Sequence, residues 1–309
     1  MGRASNQDGF PLAIVLPRHR QTTVPSAAVI LLAVLLAAGA TPAAPAAPLR
    51  VAVSIPPQQW LVEQVAGAGV QVSVLVGAGQ SPENFAPTPR QVADLQSAEA
   101  FFSAGVAFEL GLLPRLRAMA GAPRLAGRRP LNDRHGTHGD EEDPHAWLDP
   151  REAVAFADTV CRVLSELRPG NAAEYARGRD ALQARLAVLD RDCAAMLQGC
   201  AGREFFVFHP AYGHFARRYG LVQVAVEDHG HEPGARHLAE TIERAKAVGA
   251  KAILVQPQFP QRSAEAVAGA VGARLVVADP LSSDYEAGLR HLAATLQELL
   301  GCGGGKSTP

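Results

Sequence analysis

The sequence lacks the short motifs that identify several common classes of enzyme and zinc site. H-E-x-x-H, G-x-S-x-G and C-x-x-C are all absent from its 309 residues, which argues against a zinc protease of that class, a serine-hydrolase elbow and a cysteine zinc knuckle. A Gly-rich stretch next to a lysine, residues 303–307, is not followed by a helical pattern and is therefore not a phosphate-binding loop. We expect a protein that is not an enzyme.

An excess of charge of one sign is also missing. Lys and Arg number 29 and Asp and Glu number 30, a formal net charge of -1. A partner such as nucleic acid selects for a basic surplus, so no nucleic-acid partner is expected. Hydrophobic residues at 48% and charged residues at 19% are typical of a soluble globular protein, and the length suffices for two domains.

Residues 1–48 are predicted to be a signal peptide and leader. Arg18 and Arg20 precede an apolar run, residues 27–40, which is too short to cross a bilayer comfortably but suits the core of a signal peptide. Ala38-Gly39-Ala40 is the best cleavage site. The alternative is an uncleaved membrane anchor. We expect export to the periplasm, without a lipid anchor because no cysteine follows the apolar run.

Cysteine is scarce, and one disulfide is considered among the four residues present. An exported protein can form disulfides, and Cys193 and Cys200 are the nearest candidates. They can pair only if the helix that carries Cys193 ends near Gly199, because seven residues of unbroken helix would hold them about 10 Å apart.

Short apolar runs alternate with helical patterns along the rest of the chain. The strand-like runs are residues 51–55, 70–76 and 101–104 in the first half, and 205–208, 222–226, 252–255 and 275–278 in the second. This order predicts an α/β fold of two lobes, each a parallel sheet flanked by helices.

A long helical pattern separates the two halves. Residues 172–197 contain no proline, and their apolar residues fall on one helical face: Tyr175, Leu182, Leu186, Leu189, Cys193 and Leu197. One helix of this length would span roughly 40 Å; the alternative is two shorter helices broken at Gly178. The predicted organisation is a first lobe (49–170), a linking helix (171–199), a second lobe (200–301) and a disordered tail (302–309).

Four metal-ligating side chains lie in loops at the ends of predicted elements. His209 and Asp279 each follow a strand directly, Glu83 lies in the loop after another strand, and His145 precedes a helix. Ligands of open parallel sheets bind beyond the carboxyl ends of the strands. Two imidazoles and two carboxylates are enough for a four-coordinate divalent transition metal. Each residue alone is more typical of a turn, cap or surface position.

Seven segments, in order between about Arg50 and Leu300, resemble those of one family. They are IPPQ (55–58), GQSPENFAPTP (79–89), DPHAW (143–147), FHPAY (208–212), YGL (219–221), QPQF (256–259) and ADPL (278–281). Together they resemble the zinc- and manganese-binding solute proteins of ABC transporters, the TroA-like or ZnuA-like group.

The resemblance implies two α/β lobes joined by one rigid helix, with a metal ion held in the cleft between them. It implies Glu83, His145, His209 and Asp279 as ligands, Zn2+ as the cargo with Mn2+ or Fe2+ as alternatives, and an ABC transporter permease as the partner of a monomer. A surface adhesin or metal buffer on the same scaffold, and an exported zinc hydrolase, remain as other functions.

Glu83 departs from the pattern of the family, which usually has histidine in this loop. A carboxylate can ligate zinc, but two carboxylates with two imidazoles form a harder set that favours manganese or iron relative to zinc. Manganese-binding relatives usually have Glu where this chain has His209. Glu83 is therefore either a ligand or a bystander. If it is a bystander, water or a loop histidine completes a three-ligand site.

Further histidines define possible secondary sites. His135 and His138 lie in an acidic loop, and His229 and His231 flank a glycine in a second loop. Both pairs could chelate metal weakly, although solvated loops are the simpler interpretation.

Two further residues lie close to these candidates. Glu227 could orient His209 by accepting a hydrogen bond, which ligating imidazoles usually need. His214 is expected to face solvent on the helix after His209.

Overall fold

Two four-stranded parallel sheets organise the chain. The computed structural model describes residues 47–129, 143–227, 234–259 and 261–302. The first sheet has the order β2-β1-β3-β4 and the second the order β6-β5-β7-β8, with every pairing parallel. The strands are β1 (Leu49–Val53), β2 (Val70–Val74), β3 (Ala100–Ala104), β4 (Arg124–Arg128), β5 (Glu204–Val207), β6 (Val222–Ala225), β7 (Ala252–Val255) and β8 (Arg274–Val277).

Helices flank both sheets, and the two-lobe α/β fold is confirmed. They are α1 (Pro56–Ala66), α2 (Pro89–Leu95), α3 (Glu109–Ala118), α4 (Pro150–Leu167), α5 (Ala172–Met196), α6 (Gly213–Tyr219), α7 (Ala235–Ala247), α8 (Gln261–Val271) and α9 (Tyr285–Leu300). The described residues contain no helix long and apolar enough to cross a bilayer.

Local sequence explains where the helices that flank the site begin. The Thr88 hydroxyl accepts a hydrogen bond from the Gln91 amide, and the Gln91 side chain accepts from the Thr88 amide, which together form a capping box at α2. Asp149 caps α4 by accepting a hydrogen bond from the Arg151 amide alone, and Pro150 occupies the first turn. These caps fix the ends of the loops that precede both helices.

The long helix α5 joins the two lobes as a single element. It runs for 25 residues, about 38 Å, and continues through Gly178. Its apolar face, which includes Leu182, Leu186 and Leu189, belongs to one hydrophobic cluster that reaches from Val51 in the first sheet to Phe205 in the second. The prediction of one linking helix is confirmed, and its packing against both lobes restrains their movement.

The pairing of Cys193 with Cys200 that the sequence left open is not formed. Cys200 is joined to Cys302, with Cα atoms 5.4 Å apart. Cys193 is a buried free thiol whose Sγ lies 3.9 Å from the Leu289 carbonyl oxygen, because its side chain points from α5 towards α9. Cys302 follows α9 and returns beside Cys200. It is buried at the start of the predicted tail, and residues 303–309 lie outside the described residues.

Strand β4 was not among the predicted strands. Its sequence, Arg-Leu-Ala-Gly-Arg, has charged residues at both ends, and it forms the edge of the first sheet. Gly127 within it has a φ of 101°, and a Cβ there would collide with the backbone of Ser103. Only glycine suits that position.

Candidate metal centre

Three loops bring Glu83, His145 and His209 together at the carboxyl ends of the strands. Glu83 lies between β2 and α2, and His145 between β4 and α4, so both come from the first lobe; His209 follows β5 in the second lobe. One potential ligand atom of each lies within 4.8 Å of the others. Among the described residues, no other group of three or more His, Cys, Asp or Glu side chains converges in this way.

A single carboxylate oxygen of Glu83 lies between the two imidazoles. Its Oε1 atom is 3.2 Å from Nε2 of His145 and 3.1 Å from Nε2 of His209. Both histidines are only 4% exposed, and their ring centroids are 5.3 Å apart in an edge-to-face arrangement. Three atoms capable of binding a cation therefore face one small volume between the lobes.

Polar partners on the far side of each imidazole fix its orientation. Nδ1 of His145 is 2.8 Å from Oδ1 of Asp143, and the same oxygen accepts a hydrogen bond from the His145 amide. Nδ1 of His209 is 2.7 Å from Oε2 of Glu227. When each Nδ1–H donates to its carboxylate, the neutral ring presents the lone pair of Nε2 to the centre, as metal-ligating histidines require.

The loop around Glu83 holds that side chain as well. Its second carboxylate oxygen accepts a hydrogen bond from the hydroxyl of Ser81, which is buried. The Glu83 side chain is 28% exposed, so the centre opens to solvent on this side. An ion could enter beside Glu83, and the two buried imidazoles lie deeper in the same cavity.

The carboxylates around the centre favour the binding of a positive charge, either protons on the imidazoles or a metal ion. Burial raises the pKa of Glu83, but hydrogen bonds to His145 and His209 outweigh it and hold that pKa well below its usual range. Burial lowers the pKa of His145, but hydrogen bonds to Asp143 and Glu83 outweigh it and raise the pKa to about 9. The pKa of His209 is raised against burial through Glu227 and Glu83. The carboxylates stabilise bound protons, and a metal ion can take the place of those protons.

Asp279 lies outside this cluster. Its side chain is exposed, and its Oδ1 atom accepts hydrogen bonds from Nε2 of Gln258 at 2.7 Å and from the Leu281 amide at 2.9 Å. The structure therefore brings together three of the four predicted ligand candidates and leaves the fourth outside the group.

Of the other histidines singled out in the sequence, only His214 lies among the described residues. His135, His138, His229 and His231 lie outside the described residues. The expectation that His214 faces solvent is wrong: its Nε2 atom is 3.0 Å from the carbonyl oxygen of Asp143, and its side chain is only 13% exposed. The start of α6 packs against the loop that carries His145, so this histidine supports that loop.

Sequence reasoning missed several residues that shape the centre. Asp143 orients His145, and Phe259 stacks on the ring of His209 with centroids 4.7 Å apart. The Gln256 side chain accepts a hydrogen bond from the His209 amide and donates one to the His209 carbonyl oxygen. The DPH and QPQF segments contained these residues, but nothing in their spacing identified the contacts.

The chain is similar to a known protein family over most of its length. A family model described as zinc-uptake complex component A, periplasmic (ZnuA), matches residues 51–299. The high-affinity zinc uptake system protein ZnuA of Brucella abortus (strain 2308) is 31% identical over 172 residues, which are 52% of this chain and 51% of that protein. The chain thus spans about half the length of this curated relative.

Solved structures give the same result over a larger share of the chain. A ZnuA deletion mutant with zinc bound is 35% identical, has a TM-score of 0.75, and is matched over 82% of this chain and 98% of that one. FpvC from Pseudomonas aeruginosa, in complex with Mn2+, shares the fold at 24% identity, with a TM-score of 0.69 over 83% and 100% of the two chains. The match of the family model to most of the sequence shows that this chain belongs to the ZnuA family.

Proposed function

We propose that the protein captures one divalent transition-metal ion, zinc first, and delivers it to the permease of an ABC importer. The observation that carries this proposal is the convergence of Glu83 Oε1 with Nε2 of His145 and of His209. Two oriented, buried imidazoles and a carboxylate are a common ligand set for zinc. Relatives named for zinc uptake support zinc as the cargo.

The ion would bind where the protons are held in the metal-free protein. It would accept the Nε2 lone pairs of His145 and His209 and an oxygen of Glu83, at about 2.0–2.2 Å from each. Binding requires neutral imidazoles, so it releases protons. A fourth ligand would come from the side of the cavity that Gln258 lines.

The arrangement of the lobes supports a small closing movement rather than a large hinge. The predicted divisions at 49–170, 171–199 and 200–301 place Glu83 and His145 on one side of the cleft and His209 on the other. The lobes are already in contact, since the Trp147 indole donates a hydrogen bond to the Pro280 carbonyl oxygen at 2.8 Å. We infer that the ion stiffens this contact and that the permease recognises the stiffened cleft surface.

The proposed setting is the periplasm, after removal of residues 1–48 as a signal peptide and leader. The protein would act as a monomer and catalyse no reaction. The disulfide between Cys200 and Cys302 supports this setting, because such bonds persist in oxidising compartments.

Manganese or iron is the second candidate cargo. The oxygen of Glu83 replaces an imidazole usual in this family, and oxygen ligands shift preference towards harder ions. The general affinity order of divalent metals still favours zinc over manganese at one site, so zinc remains the first choice.

A competitive titration tests the proposal. Purified metal-free protein is titrated with zinc and with manganese against a chromophoric chelator, alongside His209→Ala and a matched control, His291→Ala, which removes an exposed imidazole. We expect one zinc per chain, and a loss of more than about a hundredfold in affinity for His209→Ala only, because removing an orienting partner alone costs 10–100-fold. No binding of either metal, or equal affinities of the two variants, would refute the proposal.

A further inference from the structure

Gln258 lies beside the centre and has an unsatisfied buried atom. Its side chain lines the small cavity that Glu83, His145 and His209 also line. Its Nε2 atom donates to Asp279 Oδ1 at 2.7 Å, whereas its Oε1 atom is buried without a hydrogen-bond partner among the described residues. A buried polar atom left unpaired is destabilising, and an ion or water that binds there is a common explanation.

The unpaired atom of Gln258 is the oxygen and not the nitrogen. Oxygen and nitrogen of an amide side chain are assigned from their hydrogen bonds. Exchanging them would set the amide oxygen 2.7 Å from a carboxylate oxygen of Asp279, and two acceptors at that distance repel each other. The amide nitrogen therefore faces Asp279, and an electron-pair donor remains free.

Gln258, like the two imidazoles, is held by a carboxylate. Asp143 holds Nδ1 of His145 and Glu227 holds Nδ1 of His209, and each leaves the opposite ring nitrogen facing the centre. In the same way a carboxylate holds the amide nitrogen of Gln258 and leaves its oxygen free. Each of these three side chains is thus held by a carboxylate through one of its polar atoms.

The backbone around Gln258 is anchored to the centre. The side chain of Gln256 makes two hydrogen bonds to the main chain of His209, and Phe259 stacks on its ring. Asp279 is fixed independently, because its Oδ1 atom also accepts from the Leu281 amide at 2.9 Å. Gln258 and Asp279, the two residues of this hydrogen bond, are therefore both held in place without metal.

We propose that Gln258 supplies an oxygen ligand at the fourth position of the cargo metal, and that Asp279 is the residue that positions it. This inference rests on the proposed function. A neutral amide oxygen carries no proton to displace, and it is a harder donor than imidazole. With Glu83 it gives a set of two oxygen and two nitrogen donors, so it increases the affinity for manganese relative to zinc.

A double-mutant cycle tests this assignment. Zinc and manganese affinities are measured by chelator competition for the purified protein, Gln258→Leu, Asp279→Ala and the double variant. Gln96→Leu, the same replacement at an exposed position, is the control, and circular dichroism checks folding. We expect Gln258→Leu to weaken manganese binding at least tenfold and zinc binding less. Asp279→Ala should weaken binding several-fold alone but have no effect when Gln258 is already Leu.

The opposite pattern would overturn the assignment. If Asp279→Ala weakens binding equally in both backgrounds while Gln258→Leu leaves affinity unchanged or raises it, Asp279 is itself the ligand. Equal losses of zinc and manganese affinity in Gln258→Leu would also contradict an oxygen ligand that tunes selectivity. Failure of the unmodified protein to bind either metal would instead refute the proposed function, so the two failures are distinct.

Discussion

Gly178 in α5 gives a test of how the linking helix is attached to the first lobe. A Cβ built there would collide with the Val65 carbonyl oxygen of α1, and would lie 3.0 Å from the Val65 carbonyl carbon and 3.1 Å from the Gln64 carbonyl oxygen. All three atoms belong to the backbone, which cannot move aside as a flexible side chain can. The perturbation is Gly178→Ala, which adds one methyl group at this contact.

Two opposing effects set the size of the expected change. Alanine in a helix interior is favoured over glycine by about 1 kcal/mol. Adding a methyl group to a tightly packed contact costs about 1–3 kcal/mol, and occasionally more. Because α5 and α1 must separate to admit the group, we expect the packing cost to exceed the propensity gain. The clash is with backbone, so the upper part of that range applies, about 2–3 kcal/mol. The net loss of unfolding free energy should then be about 1–2 kcal/mol.

Thermal and urea denaturation measure this loss, with Gly269→Ala as the matched control. Gly269 is exposed in α8, and nothing lies within 4 Å of a Cβ built there, so this substitution should stabilise the protein by up to about 1 kcal/mol. The melting temperature of Gly178→Ala should fall by about 2–8 °C. If Gly178→Ala were as stable as the unmodified protein, the close contact between α5 and α1 would be wrong.

The metal centre and the disulfide provide the remaining predictions. Glu227→Ala removes the acceptor of the His209 Nδ1 proton, so zinc affinity in a chelator competition should fall 10–100-fold; an unchanged affinity would exclude this role. Because the pKa of His145 is raised to about 9, zinc competes with a proton up to that pH. Zinc affinity should therefore increase from pH 6 to 9, and calorimetry in buffers of different ionisation enthalpy should detect proton release. A zinc affinity that does not change between pH 6 and 9 would contradict this competition with a proton. The same raised pKa stabilises the metal-free fold below about pH 6.5, and that contribution is lost as the pH rises through about 9. Cys302→Ser opens a loop of 102 residues, which should lower the unfolding free energy by about 3–5 kcal/mol. The unmodified protein should match the variant in reductant, and equal stability without reductant would refute the bond to Cys200.

Most of the fold could be predicted from the sequence because buried parallel strands are continuous apolar runs. Strand β3, Ala-Phe-Phe-Ser-Ala, is buried at every residue, and β7, Ala-Ile-Leu-Val, likewise. Strand β4 was missed because an edge strand pairs with one neighbouring strand only. It is therefore partly exposed and can carry arginine at both ends. Gly178 was considered as a break in α5, but it is there for close packing against α1.

The site could be predicted in part, since the chemistry of a residue is visible in the sequence and its orientation is not. Glu83, His145 and His209 were identified by their positions in loops at the ends of predicted elements and by resemblance, and the structure brings them together. Asp279 instead accepts a hydrogen bond from Gln258, a neutral residue that no ligand pattern includes. The partner of Cys200 lies 102 residues away, so only the packing of α9 reveals it.

The central claim is tested most directly by anomalous diffraction at the zinc absorption edge from crystals of the zinc-loaded protein. The account predicts one strong peak in the cleft, about 2.0–2.2 Å from Nε2 of His145, Nε2 of His209 and an oxygen of Glu83. A peak located elsewhere, or a cleft without zinc at saturating concentration, would contradict it.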